Sequence, residues 1–191
     1  MTNFGSLPAD LPVPEDDGAA DHLPGLTIPA LEFPATIGGS VSTADLGRSR
    51  CVLYVYPMTG RPGVALPAGW DSIPGARGCT PQACAFRDHH AELAAAGADV
   101  YGLSSQSADD QAEAAERLHL PFPLLSDENL ALAQPPLRLP TFGADGRTCY
   151  RRLTMIVADG RIEHAFYPVF PPDGHPEQVL AWLRAHPPSA G

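Results

Sequence analysis

Six consecutive residues, Cys51-Val52-Leu53-Tyr54-Val55-Tyr56, are apolar on both faces of any strand they form. Side chains of a strand alternate between two faces, so this run has no side to offer to water and must be covered on each. It predicts the central strand of a layered α/β domain. The pattern downstream agrees. A long loop over 57–78 leads to a helical pattern opening near Thr80 and closing at Gly97. A strand from Val100 to Leu103 follows, and then a helix from the capping box Ser107–Asp110 to about Leu118. Phe122 to Leu125 reads as the next strand, with Ser126 capping a short helix over Asn129 to Ala133 that Pro135-Pro136 ends.

A β-loop-α-β-α-β order with right-handed crossovers gives a parallel core. Strand patterns at 150–157 and 161–167 flank Asp159-Gly160, a two-residue hairpin signal, and add antiparallel strands. Pro176 opens a last amphipathic helix through Val179, Leu180, Trp182 and Leu183. The expectation is an α/β chain with a thioredoxin-like fold, a central mixed sheet flanked by helices. Residues 25–48 add short β-like pieces around Gly38-Gly39. Residues 1–24, rich in Pro, Asp and Ala, read as a poorly ordered extension, and 25–187 as one domain.

The chain of 191 residues carries a net charge of −10 and has no Lys/Arg run, which argues against nucleic acid and acidic membrane surfaces as partners. No apolar run reaches membrane-spanning length. The start, Met1-Thr2-Asn3-Phe4-Gly5, has neither a basic nor an apolar leader, so a cytoplasmic protein is expected. The four cysteines are then not a structural disulfide framework. Cys51 opens the apolar run and Cys149 lies beside a strand pattern; both read as buried packing thiols.

Cys79 and Cys84 differ. They lie in Gly78-Cys79-Thr80-Pro81-Gln82-Ala83-Cys84-Ala85-Phe86-Arg87-Asp88, where the loop turns into a helix. Thr80 reads as the N-cap and Pro81 as the first helical residue, with Ala83, Phe86, His90 and Leu93 at helical spacing. Free amides and the helix dipole at such a start favour a thiolate, the reactive form of cysteine. In an intact helix the two Cα atoms would be roughly 8–9 Å apart. A disulfide needs no more than about 7 Å, so any bridge between them requires the helix start to unwind.

Together with Leu53-Tyr54-Val55-Tyr56-Pro57 and Phe122-Pro123-Leu124-Leu125-Ser126-Asp127, this element resembles a peroxiredoxin, closest to the Q-type or bacterioferritin-comigratory group. The resemblance spans roughly residues 25–185. It implies a thioredoxin-like fold and thiol-dependent reduction of hydrogen peroxide or organic hydroperoxides, with no cofactor or metal. Cys79 matches the peroxidatic cysteine, Cys84 the resolving cysteine and Arg152 the strand arginine facing the thiolate. A Cys79 sulfenic acid would condense with Cys84, and a thioredoxin-like or glutaredoxin-like reductant would restore both thiols. The group leans towards a monomer or weak dimer.

The chain departs from the family in the loop. The family's Pro-x-x-x-Thr-x-x-Cys places a threonine three residues before the cysteine, where this chain has Ala76; the proline position falls on Ser72. Counted forward from Pro57, the threonine falls on Arg61 and the cysteine on Val64. This implies an insertion of about fifteen residues within 58–78, with Pro57 still shielding the thiolate. Thr59, or else Ser72, would supply the missing hydroxyl, and Trp70 or Arg77 could enter the pocket. Arg151 is the rival of Arg152. His89-His90 lack a metal-ligand spacing and read as a solvated or half-buried pair. A non-enzymatic thiol redox sensor on the same fold is the alternative function.

Overall fold

The computed structural model describes residues 7–8, 10–46 and 50–187. Two short strands, β1 (Glu32–Pro34) and β2 (Ser40–Ser42), pair antiparallel around Gly38-Gly39. The apolar run then forms β3 (Arg50–Val55), buried at every position. Next come α1 (Cys79–Asp88), α2 (His90–Ala95), β4 (Ala98–Ser104), α3 (Ala108–Leu118) and β5 (Leu124–Ser126). A hairpin of β6 (Thr141–Ala144) and β7 (Arg147–Tyr150) precedes β8 (Leu153–Ala158), β9 (Arg161–Phe166) and α4 (His175–Ala185).

The main sheet has the order β5-β4-β3-β8-β9. β3 runs parallel to β4 and β4 to β5, while β8 is antiparallel to β3 and β9 to β8. This is the mixed α/β sheet with flanking helices that the pattern predicts. Alternation along β3 sorts its two coverings. Val52, Tyr54 and Tyr56 pack with Phe86, Leu93, Ala114 and Val179 from the helices. Leu53 and Val55 turn the other way, towards Leu23, Phe33, Leu46, Leu132 and Tyr150. The second covering is built from the N-terminal segment and the stretch after β5.

Several local expectations shift. The helix expected from Thr80 to Gly97 is two helices meeting at His89, whose backbone (φ −96°, ψ 6°) leaves the helical range. The turn at Ala131–Ala133 has Leu130 at its cap position, and its first amides are held by Asp127, whose carboxylate accepts from Ala131 (2.8 Å) and Leu132 (3.1 Å). Ser126 instead donates its hydroxyl to the Gln106 carbonyl at 2.6 Å. The β8-β9 turn has the form Asp159-Gly160 demands, with φ of 49° and 71°. Asp145-Gly146 carries the same signal and closes the β6-β7 hairpin, an element absent from the predicted order.

Residues 10–24 are packed rather than loose, while residues 1–6 and 9 lie outside the described residues. Ala20 and Leu23 are buried, and His22 Nε2 lies 2.7 Å from the Leu137 carbonyl. Pro14 rests against Gly75, and Leu7 against Gly78. The extension therefore crosses the loop that carries Cys79. Among the described residues no helix is long and apolar enough to cross a membrane.

Candidate active site

The chain enters α1 through Gly78, which sits in the left-handed region at φ 101° and caps the helix without a side chain. A Cβ there would come within 2.5 Å of Pro172 Cγ and 2.8 Å of Leu7 Cδ2, so only glycine fits this turn. Cys79 is thus the first helical residue, two positions earlier than the Pro81 start that a Thr80 cap predicts. Its thiol is 3% exposed and donates to the Ala76 carbonyl at 3.6 Å.

Arg152, between β7 and β8, reaches the sulfur. Its Nη2 lies 3.1 Å from Cys79 Sγ and also donates to the carbonyls of Ala76 (3.3 Å) and Arg77 (3.0 Å). Nε donates to the Gly75 carbonyl at 3.3 Å, and Nη1 to Gln82 Oε1. The side chain is 3% exposed. Arg151, its rival, lies over the Phe142 ring at 5.9 Å, with its amide on the Pro140 carbonyl. Consecutive extended residues point opposite ways, which separates the two. Three successive carbonyls of the inserted loop therefore close on the guanidinium that touches the thiol.

Cys84 lies half-buried on the same helix, five residues on, and all four cysteines are free thiols. Burial pushes the Cys51 thiol up to about 12, and Asp99 adds to the effect. Burial, and then Cys79, push Cys149 up as well. Tyr56 donates its buried hydroxyl to Gln111 Oε1 on α3. His175, the first residue of α4, is fully buried with Nε2 2.8 Å from Thr154 Oγ1. His89 pairs with Glu92 at 3.3 Å, and His90 packs near Phe122.

A crevice of about 10 Å³ opens beside the sulfur, lined by Met58, Leu66, Trp70, Arg77, Cys79 and Thr80. Trp70 and Arg77 of the insertion do enter the site. The structure does not bring Thr59 to the sulfur. Its amide (2.7 Å) and hydroxyl (3.0 Å) both donate to Gln106 Oε1, and Gln106 Nε2 returns a bond to its carbonyl at 3.2 Å. That clamp consumes the hydroxyl expected at the thiol. Ser72 is exposed. Pro57 is buried, its carbonyl accepting from Ser104 Oγ at 3.0 Å, and it borders the neighbouring groove with Cys149. Gln82 was not anticipated, though its place three residues after Cys79 put it on the same helix face.

A buried thiol at a helix start, touched by an arginine and followed by a second thiol in the same helix, defines a thioredoxin-fold thiol protein. The comparisons narrow this. A family model described as Redoxin matches residues 23–181. The chain is 32% identical over 167 residues to Peroxiredoxin Bcp of Escherichia coli, covering 83% of this chain and 93% of that protein. It is 31% identical over 163 residues to the chloroplastic Peroxiredoxin Q of Sedum lineare, covering 84% and 77%. The crystal structure of Peroxidoxin BcpB from Mycobacterium tuberculosis superposes with a TM-score of 0.68 at 28% identity, over 86% of this chain and 99% of that one. The chain belongs to the Redoxin family, and within it to the Q-type peroxiredoxins.

Proposed function

We propose that this thiol peroxidase reduces hydrogen peroxide and organic hydroperoxides through Cys79, with Arg152 as the group that holds the thiolate and the peroxide. The observation that carries the reading is the 3.1 Å contact between Arg152 Nη2 and Cys79 Sγ in a buried site at the start of α1. The thiolate attacks one peroxide oxygen, the O–O bond breaks, and sulfur keeps that oxygen as a sulfenic acid. The other oxygen leaves as alkoxide or hydroxide and takes a proton from solvent. A guanidinium fixed by carbonyls stabilises the thiolate before the reaction and the leaving oxygen during it. A chamber of about 360 Å³, lined by Met58, Arg61, Val64, Leu66, Gln106 and Arg147, adjoins the crevice and has room for an organic substituent.

Cys84 then resolves the sulfenic acid as an intramolecular disulfide with loss of water. Because both residues lie in α1, resolution requires its first turn to unwind. A thioredoxin-like dithiol reductant completes the cycle.

The test is stopped-flow oxidation of the reduced protein, with turnover in the presence of a thioredoxin system. Cys79→Ser is expected to abolish peroxide consumption, and Cys84→Ser to allow one turnover ending in a sulfenic acid that dimedone traps. A wild-type protein that consumed neither hydrogen peroxide nor an alkyl hydroperoxide would sink the reading and favour a sensor. Peptide mapping that found no Cys79–Cys84 bridge would remove the resolving role alone.

A further inference from the structure

Three buried side-chain polar atoms among the described residues have no hydrogen-bond partner: Tyr54 Oη, Thr80 Oγ1 and Gln82 Nε2. All three belong to the surroundings of Cys79. Thr80 follows it, Gln82 binds Arg152, and Tyr54 shares the core cluster of Cys79 on the helix side of the sheet. An unpartnered buried hydroxyl is destabilising, so a site that keeps one has a use for it.

Of the three, Thr80 alone lines the crevice at the sulfur. Gln82 spends its oxygen on Arg152, and the hydroxyl of Tyr54 lies beside Gly102 and Leu124. A threonine in the first turn of a helix ordinarily returns its hydroxyl to a backbone carbonyl or caps an amide. Thr80 does neither, although it is only 6% exposed. The crevice, about 10 Å³, is on the scale of a single small polar group such as the terminal oxygen of a hydroperoxide.

We infer that Thr80 is the substrate-binding hydroxyl of this enzyme, holding the hydroperoxide oxygens between itself, Cys79 and Arg152. The inference rests on the peroxidase reading of Cys79. The Thr80 hydroxyl accepts from the peroxide O–H in the bound state and donates to the oxygen that leaves as the S–O bond forms. The inserted loop gives this role its opening: Ala76 presents only its carbonyl to the site, and Thr59 is held by Gln106.

The experiment compares Thr80→Val and Thr80→Ser with wild type in three measurements. These are the rate of sulfenic acid formation with hydrogen peroxide, the rate of Cys79 alkylation by iodoacetamide, and the thermal midpoint. Valine keeps the shape, so the protein is expected to melt no lower than wild type, an unpartnered hydroxyl having been removed. Oxidation is expected to slow about 10- to 100-fold, the loss of one hydrogen bond to a developing charge. Serine is expected to restore most of the rate. Alkylation, which needs the thiolate but no peroxide site, is expected to stay within about 2-fold of wild type, well inside the loss of one such bond. Oxidation of the valine variant at the wild-type rate, serine no faster than valine, or a parallel fall in alkylation would each overturn the inference. A wild-type protein that peroxide leaves unoxidised would instead defeat the peroxidase reading, whatever the variants do.

Discussion

The sulfur of Cys79 and a guanidinium nitrogen of Arg152 meet 3.1 Å apart across 73 positions of sequence. The same guanidinium is gripped by the carbonyls of Gly75, Ala76 and Arg77. One side chain therefore both faces the thiol and fixes the loop that delivers it.

Replacing Arg152 tests the two duties together. Arg152→Met leaves the loop carbonyls and Gln82 Oε1 buried without their donor. It is expected to cost about 3 kcal/mol in denaturant unfolding and to slow peroxide oxidation at least about 100-fold. Arg152→Lys keeps the charge without the planar fork and is expected to fall between. An Arg152→Met protein as stable and as fast as wild type would refute both duties.

Gly78→Ala forces a Cβ into the left-handed turn and against Pro172 and Leu7. The backbone alone costs about 1–2 kcal/mol, and the contact adds to it. The thermal midpoint is expected to drop by about 4 °C or more. An unchanged midpoint would mean that Leu7 and Pro172 give way freely.

The pH dependence of stability should carry a signature of His175. Burial is the main reason its pKa falls from 6.5 to about 4; the hydrogen bond from its Nδ1 to Gln178 Oε1 opposes the shift and the Arg152 charge adds to it. The unfolded chain takes up a proton below about 6.5 that the folded protein refuses until about 4. Stability from this group is complete above pH 6.5, declines as pH falls and is lost by about pH 4. The full loss is about 3 kcal/mol. His175→Asn should flatten that part of the profile in urea titrations run between pH 4 and 7; a parallel curve would contradict the assignment.

Gln106→Ala releases the amide, hydroxyl and carbonyl of Thr59 at once. About 1–2 kcal/mol of stability should go with them, and amides near Thr59 should lose protection in hydrogen exchange. Exchange unchanged around Thr59 would show that the loop is held elsewhere.

The central strand, the Asp159-Gly160 hairpin and the Cys79 element were legible because each is written in contiguous residues. Period, turn chemistry and helix start are all local properties. What escaped was set by distant partners. Nothing near Thr59 announces that Gln106, 47 positions on, will take its hydroxyl. The order of residues 10–24 comes from Leu23 joining a core built by later strands, so composition alone suggested looseness. Arg152 against Arg151 turned on strand parity, which the pattern fixes only once the neighbouring elements are placed. Asp145-Gly146 was local and could have been read.

The loop from Thr59 to Arg77 is pinned at both ends, by Gln106 on one side and by Arg152 on the other. Between two such rivets a chain can lengthen cheaply, since doubling a loop costs only about 0.6 kcal/mol in closure entropy. The geometry at the sulfur is insulated from what the intervening residues are. That makes this stretch a place where evolution, or a protein engineer, can graft a new vestibule and change which peroxides are admitted while leaving the reacting atoms where they stand.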